Sequence, residues 1–294
     1  MSGTAENAAM KTAVVTGIST GIGRAIAKSL VDAGWRVFGS VRKESDAAAA
    51  SAALGANFFP LLFDVTDDAA IKREAAKVGA ALDGRTLDAL INNAGVAVAG
   101  PVRYLDIDEL KRQMDINVYG PVRMIQAFAP MLGADPSRRG TPGRIINMSS
   151  VAGKMASPFM SPYAMSKHAL EALSESLRRE LAAHGVDVII IAPGAIRTPI
   201  WAKADDLDVE RYRDTEYFDV LTRMKSMMQA FGDEGLEAEE VGNLALRVLT
   251  AEKPKTRYPI LKNRFAMWTL PNLLPKRMVD RAILKRFGMT ARKS

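Results

Sequence analysis

The chain has no cysteine and only two histidines, His168 and His184, among its 294 residues. Disulfides, thiolate metal sites and cysteine nucleophiles are excluded. Two histidines leave little for a histidine-based metal centre or a serine hydrolase triad, so no metal site is expected. No apolar run approaches the roughly 20 residues a membrane-spanning helix needs. Residues 1–10 are small and polar, lack the charged start and apolar stretch of a signal peptide, and read as a flexible N-terminus. The expectation is a cytoplasmic protein. The excess of basic charge is confined to one segment. Of the net +7, residues 253–294 contribute +11, from twelve Lys or Arg against the single acid Asp280, which leaves −4 for residues 1–252. A nucleic-acid-binding face on the body is therefore not expected.

What is present is a repeating alternation. Residues 12–16 read as a buried strand, 24–33 as a helix stopped by Gly34, and 36–41 as a second strand. An alanine-rich helix at 45–54, a strand at 58–63, a helix at 67–81 and a strand at 87–91 follow. Residues 106–131 read as a helix interrupted at Gly120-Pro121, then come a strand at 144–147, a helix running to about His184 and closed by Gly185, a strand at 187–192 and a helix at 238–249. Such alternation with short connections marks βαβ units and a parallel sheet. The strands are apolar without alternation, as burial on both faces requires.

Chemistry-bearing residues gather at the strand ends. Gly17, Gly21 and Gly23, with Ser19, Thr20 and Ile22 between them, lie between a strand and a helix. Glycines there permit a tight turn and close approach of a pyrophosphate to the helix N-terminus, although a plain connection also uses such a turn. The second strand ends at Ser40-Val41-Arg42-Lys43, with no acid before Glu44 to meet the ribose of an NAD. Arg42 suits a 2′-phosphate, which argues for NADP(H) over NAD(H); its alternative is a solvated loop arginine. Asp64 and Val65 end the third strand, beside an adenine or, for Asp64, in a turn or cap with Thr66 and Asp67. Asn92, Asn93, Ala94 and Gly95 end the fourth, to admit a cofactor, to brace the sheet, or both. Tyr163 and Lys167 are four apart in a helical stretch and share a face. A neighbouring cation favours phenolate, and moving a tyrosine from about 10 toward 7 takes roughly 4 kcal/mol, within reach of one lysine plus a cationic cofactor. Taken alone, the pair is an ordinary surface pair on a helix.

The glycine turn, Asn92-Asn93-Ala94-Gly95, Asn117 within Asp115-Ile116-Asn117-Val118, Ser150 thirteen residues before Tyr163, and Pro193-Gly194 with Thr198 stand in register over roughly residues 11–251. The chain resembles the classical short-chain dehydrogenase/reductase family. The resemblance implies an α/β fold, a single Rossmann-type doubly wound domain over residues 11–252 with a seven-stranded parallel sheet flanked by helices. It implies an NAD(P)-dependent oxidoreductase moving a hydride between nicotinamide and a secondary alcohol or carbonyl, with NADP(H) preferred. Tyr163 becomes the proton donor for reduction and acceptor for oxidation. Lys167 becomes the holder of the nicotinamide ribose and the group that lowers the tyrosine pKa. Ser150 becomes the partner of the substrate oxygen, and Asn117 the holder of a water linking Lys167 to solvent. Cofactor contacts fall to Gly17, Ser19, Thr20, Gly21, Ile22, Gly23, Arg42, Asp64, Val65, Asn92, Ala94, Gly95, Tyr163, Lys167, Pro193, Gly194, Ile196 and Thr198. Ser149 is off by one in spacing, and both histidines read as structural. A homodimer or homotetramer is implied. The alternative is a non-catalytic NAD(P)-binding regulator of the same fold, which would be expected to have lost Ser150, Tyr163 and Lys167.

Residues 198–235 correspond to the family's substrate lid, with Trp201, Tyr212, Tyr217, Phe218, Met224, Met227, Met228 and Phe231. They suit an apolar alcohol or carbonyl, or else the methionines pack on the core. Residues 253–294 read as a basic C-terminal extension. Its Arg257-Tyr258-Pro259 and Leu273-Leu274-Pro275 with Arg277 look similar to extensions of hydroxysteroid- and retinol-dehydrogenase-like members. Its readings are a flap over the substrate entrance, a packing or subunit-contact element, and a basic amphipathic anchor at an anionic membrane, the structural ones ranking first.

Overall fold

Short strands of mostly apolar residues follow one another with helices between them, in a computed structural model that describes residues 10–198 and 208–289. Strands β1 (Thr12–Val15), β2 (Arg36–Val41), β3 (Phe58–Leu62), β4 (Ala89–Asn92), β5 (Arg144–Met148) and β6 (Asp187–Pro193) alternate with helices α1 (Gly21–Asp32), α2 (Glu44–Leu54), α3 (Asp68–Ala81), α4 (Ile107–Met114), α5 (Gly120–Ala129) and α6 (Ser161–Glu180). Then come β7 (Ile196–Arg197), α7 (Phe218–Asp233), β8 (Leu236–Glu237), α8 (Ala238–Thr250), β9 (Arg257–Ile260), α9 (Leu270–Leu273) and α10 (Lys276–Arg286). The main sheet is parallel and seven-stranded, in the order β3-β2-β1-β4-β5-β6-β9, while β7 and β8 pair separately.

Alternate strand residues feed two cores, as the two-residue period of a strand dictates. Val15, Ile91, Ile146 and Ile189 face α1 and α8 on one side. Val14, Leu90, Ile145 and Val188 face α3, α5 and α6 on the other. Both faces are covered, which explains why the strands carry no polar alternation.

The boundary expected after residue 252 is corrected by β9. Its residues pair with the end of β6, from Ile190↔Arg257 to Pro193↔Ile260, so the sheet is incomplete without the first part of the basic segment. Proline at 259 is tolerated because β9 is an edge strand. The interruption expected at Gly120-Pro121 lies in the preceding turn, where Asp115–Tyr119 form a π turn. Pro121 follows this turn within one continuous helical run, and the N–H it lacks accounts for a wider hydrogen-bonding turn just before it.

Beyond β9, Phe287 and Met289 pack against a cluster of Phe159, Tyr212, Val220, Leu221 and Met224. The tail thus lies against the lid, in keeping with a structural role. Among the lid residues named from sequence, Trp201 and the side chains of Met228 and Phe231 lie outside the described residues, as do residues 1–9 of the N-terminus. Among the described residues no helix is long and apolar enough to cross a membrane.

Candidate active site

The strand order reverses between β1 and β4, and the crevice at such a switch point is where open α/β sheets bind ligands. Gly17 leaves β1 with φ +70°, and its N–H donates to Ser40 Oγ at 3.0 Å. Thr16 Oγ1 accepts from the N–H groups of Asn93 and Ala94, each at 2.9 Å. Asn93 Nδ2 donates to the carbonyls of Thr16 and Gly17, at 2.9 and 3.1 Å. A Cβ on Gly23 would fall 2.3 Å from the Gly17 oxygen. The turn is therefore packed hard against the end of β4. On its other side, Ser19 and Thr20 are exposed, and α1 begins without a side-chain cap, leaving its first-turn N–H groups for an anion. Gly21 opens the helix beneath Thr198, whose side chain a Cβ at Gly21 would approach to 3.3 Å, and Ile22 is half-buried behind it. These residues fit a dinucleotide pyrophosphate. Gly23→Ala is expected to displace the turn and weaken dinucleotide binding by the cost of overpacking, about 1–3 kcal/mol. Fluorescence titration with NADPH checks it, and unchanged affinity would remove the pyrophosphate from this turn.

Farther along the sheet edge, Arg42 and Asp64 face each other at 3.7 Å, in a cleft of about 530 Å³ that Lys111, Arg112, Ile116 and Tyr119 also line. Asp64 Oδ1 accepts from the N–H and hydroxyl of Thr66, at 3.0 and 2.8 Å, while the cap of α3 is Asp67. Asp64 is thus a turn residue at the mouth of the cleft, with buried Val65 behind it. Asn92 braces the sheet through its Nδ2, while its buried Oδ1 has no hydrogen-bond partner among the described residues. It is 3% exposed, and its Nδ2 donates to Asn147 Oδ1 at 2.8 Å, with Asn147 passing the link to Ser174 on α6. Gly95 lies against the Asn117 amide.

The reacting group lies at the carboxyl ends of β5 and β6. Ser150 follows β5; its Oγ caps a short 3₁₀ turn through the Ala152 N–H, at 3.1 Å, and donates to the Pro193 carbonyl at 3.3 Å. Gly194 is fixed by its own N–H, which donates to Ile260 O at 2.9 Å, and Ile196 is buried in β7. Tyr163 occupies the first turn of α6 and is half-buried. One turn on, Lys167 is buried, donates from Nζ to Met148 O at 2.7 Å, and lies 5.7 Å from the centre of the Tyr163 ring.

Burial pushes the Tyr163 phenol above its ordinary value, and a hydrogen bond with Ser150 pulls the other way. Burial also pushes Lys167 down to about 8, opposed by the Glu171 carboxylate. Among the protein's own groups burial therefore outweighs Lys167 at the phenol, while the lowering expected from the lysine together with a cationic cofactor belongs to the cofactor-bound site. The Nζ points at a backbone carbonyl, and loss of solvent dominates at the phenol. A phenol held neutral is a proton donor, which is what carbonyl reduction needs.

The residues around this group are braces. Asn117, in the π turn, accepts from Val96 N–H and donates to Val96 O, each at 2.9 Å, and to Ser166 Oγ at 3.0 Å. Ser166 in turn donates to the Tyr163 carbonyl at 2.8 Å. Gln113 holds the same loop through Val98 N–H, at 2.7 Å. Thr16, Gln113, Asn147, Ser166 and Ser174 were not readable as site residues, because each makes its bond to a residue distant in sequence. Ser149 is buried, its Oγ without a hydrogen-bond partner among the described residues. His168 bonds the Ala164 carbonyl on the exposed side of α6, and His184 is exposed at the end of the following 3₁₀ turn, both away from the site.

A doubly wound sheet with a glycine cradle and a serine, tyrosine and lysine gathered beside it is the make-up of a nicotinamide-dependent oxidoreductase. A model of the short chain dehydrogenase family matches residues 11–208. An NADPH-dependent 3-dehydrocapnine reductase from Ornithobacterium rhinotracheale is 38% identical over 276 residues, covering 94% of this chain and 97% of that one. Retinol dehydrogenase 5 of Homo sapiens is 30% identical over 269 residues, covering 87% and 82%. The crystal structure of a short-chain dehydrogenase from Streptomyces avermitilis superposes with a TM-score of 0.74 at 28% identity, covering 95% and 96%. The chain belongs to the short-chain dehydrogenase family, and it is an NAD(P)-dependent oxidoreductase that transfers hydride between a nicotinamide and a CH–OH or C=O group.

Proposed function

We propose that this protein is an NADPH-preferring reductase of apolar ketones. The observation that carries the reading is Tyr163 in the first turn of α6 with the buried Lys167 one turn on, its Nζ 5.7 Å from the ring centre, and burial holding the phenol above its ordinary value. Bound NADPH supplies the hydride; the chain supplies everything else. Ser150 and Tyr163 donate hydrogen bonds to the substrate oxygen, and the phenol gives up its proton as negative charge develops there. Lys167 holds the ribose and stabilises the resulting phenolate. The relay water expected at Asn117 keeps its place in this reading, held by the main chain because the side chain is engaged. Residues 193–198 and the Gly17–Gly23 turn embrace the dinucleotide, and Ala94 and Gly95 leave it room.

The preference for NADPH rests on Arg42, largely exposed at the end of β2 and loosely paired with Asp64. The resemblance to an NADPH-dependent relative supports it. Arg42→Ala is expected to weaken NADPH by about 10- to 100-fold, the worth of a charge-assisted bond, and to leave NADH nearly unaffected. Equal losses for both cofactors would reverse the assignment.

The apolar substrate rests on the Met and aromatic content of the lid; Met224 itself takes the core-packing alternative, 3% exposed among Phe159, Tyr212 and Leu221, and anchors the cluster. Met224→Ala is expected to raise KM for long-chain ketones more than for short ones. An unchanged chain-length profile would sink the lid assignment. A homo-oligomer resident in the cytoplasm completes the reading on family grounds, and light scattering that finds only monomer removes the first part. The regulator alternative demands cofactor binding without turnover, and intact Ser150, Tyr163 and Lys167 weigh against it.

A further inference from the structure

Arg257 and Glu171 are 86 positions apart in sequence and meet beneath the reacting group. Arg257 lies on β9, the edge strand that the basic segment adds to the sheet. Its Nε donates to both Glu171 oxygens, at 3.1 and 3.0 Å, and its Nη2 to Oε1 at 3.0 Å. The same Nη2 reaches the Ser150 carbonyl at 3.5 Å, and the guanidinium lies 4.4 Å from the centre of the Trp268 ring. Both partners are largely out of water, their side chains 18% and 5% exposed. A pair desolvated to this degree is weak as a source of stability, because taking two charges out of water offsets most of their attraction. Its value lies in where it holds things.

Three connections define that place. Glu171 is one turn beyond Lys167 on α6, at the i+4 spacing that puts both on one face. Arg257 is linked to the carbonyl of Ser150, the residue whose hydroxyl meets Tyr163. Gly153, closing the 3₁₀ turn after Ser150, is so tight against Glu171 that a Cβ there would fall 2.9 Å from Glu171 Cγ. We propose that Glu171 and Arg257 are positioning residues for proton transfer, fixing the Ser150 turn from below and keeping Lys167 in its charged, working state.

The groups facing Lys167 are few. Its own helix offers Tyr163 and Glu171, β9 offers Arg257, and the turn after β5 offers Lys154, 3.9 Å from Glu171. Asp115, in the π turn packed on α6, is paired with Arg123 at 2.8 Å. Glu171 is the one carboxylate of the set on the helix of Lys167, one turn away, and even bonded to Arg257 it favours the protonated lysine.

The proposal rests on the reading of Ser150, Tyr163 and Lys167 as the proton-transfer group. It is tested by pH profiles of kcat for ketone reduction in wild type, Glu171→Gln and Arg257→Lys, with NADPH binding and circular dichroism as controls for folding. Removing the carboxylate should move the alkaline limb of Glu171→Gln to lower pH by about one unit. Arg257→Lys keeps the charge but loses the fork and the ring contact, so kcat should fall with the limb in place and KM for NADPH unchanged. If folded Glu171→Gln shows a wild-type limb, the pair is only structural and the proposal fails. Should Glu171→Gln not fold, Arg257→Lys decides: wild-type kcat overturns the proposal, and a lowered kcat at unchanged KM upholds it. Failure of the underlying reading would look different, because the wild type itself would then turn over no ketone.

Discussion

Tyr163→Phe is expected to lower kcat for ketone reduction by about 10²–10⁴-fold, the usual worth of a placed general acid, while the protein still binds NADPH. The change deletes one oxygen from a half-buried ring in the first turn of α6 and leaves the ring's packing intact. The loss therefore reads on proton transfer and not on folding. The pH dependence carries the sign. Burial raises the phenol above its ordinary value, so the wild type keeps its proton through neutral pH and does not lose activity there by ionisation of Tyr163. An activity limb in wild type below that range belongs to Lys167, which burial brings down to about 8. Stopped-flow measurement of NADPH consumption in both proteins checks the prediction. A Tyr163→Phe enzyme with wild-type kcat would take the proton donor elsewhere.

Lys167→Met is expected to be inactive and more stable than wild type. In the folded protein Lys167 titrates at about 8 against its ordinary 10.5. That shift corresponds to roughly 3 kcal/mol of desolvation cost when the side chain is charged. The unfolded chain holds its proton up to higher pH than the folded one. Wild-type stability therefore rises as pH climbs from about 8 toward 10.5, and the full cost is present below that window. Methionine removes the charge but leaves the Met148 carbonyl without its donor, a loss of about 1 kcal/mol. A net gain of about 2 kcal/mol at neutral pH follows, shrinking as pH rises. Urea unfolding at pH 7 and at pH 10 measures it, and a destabilised Lys167→Met protein at pH 7 would contradict the burial account. The pattern is the usual exchange of stability for function at a reacting centre.

Much of this site was readable from residue types and spacing. The strand ends, the glycine turn and the interval from Ser150 to Tyr163 are local patterns, and the sheet places all of them on one edge. What sequence left open were questions of distance. Asn92 could brace, bind or do both, and its bracing shows only in the bond to Asn147 on the neighbouring strand. Strand β9 was hidden by its four residues, its proline and the surrounding cations, and it shows only as a partner of β6. Glu171 and Arg257 each look like ordinary surface charges until the fold brings them together. The upward push of burial on Tyr163 was hidden for the same reason. Proximity to a lysine is legible in an i+4 spacing, while loss of solvent and the lysine's bond to Met148 O are not. The lid methionines divide likewise, since the core-side position of Met224 depends on Phe159, Tyr212 and Leu221.

The central claim is that hydride leaves bound NADPH for a carbonyl carbon while Tyr163 protonates the oxygen. Mass spectrometry of products formed from NADPH deuterated at the transferable position, offered with a series of apolar ketones, tests it most directly. The account predicts deuterium on the carbinol carbon with wild type and its near absence with Tyr163→Phe. NADPH bound by wild type with no label passed to any ketone would contradict it.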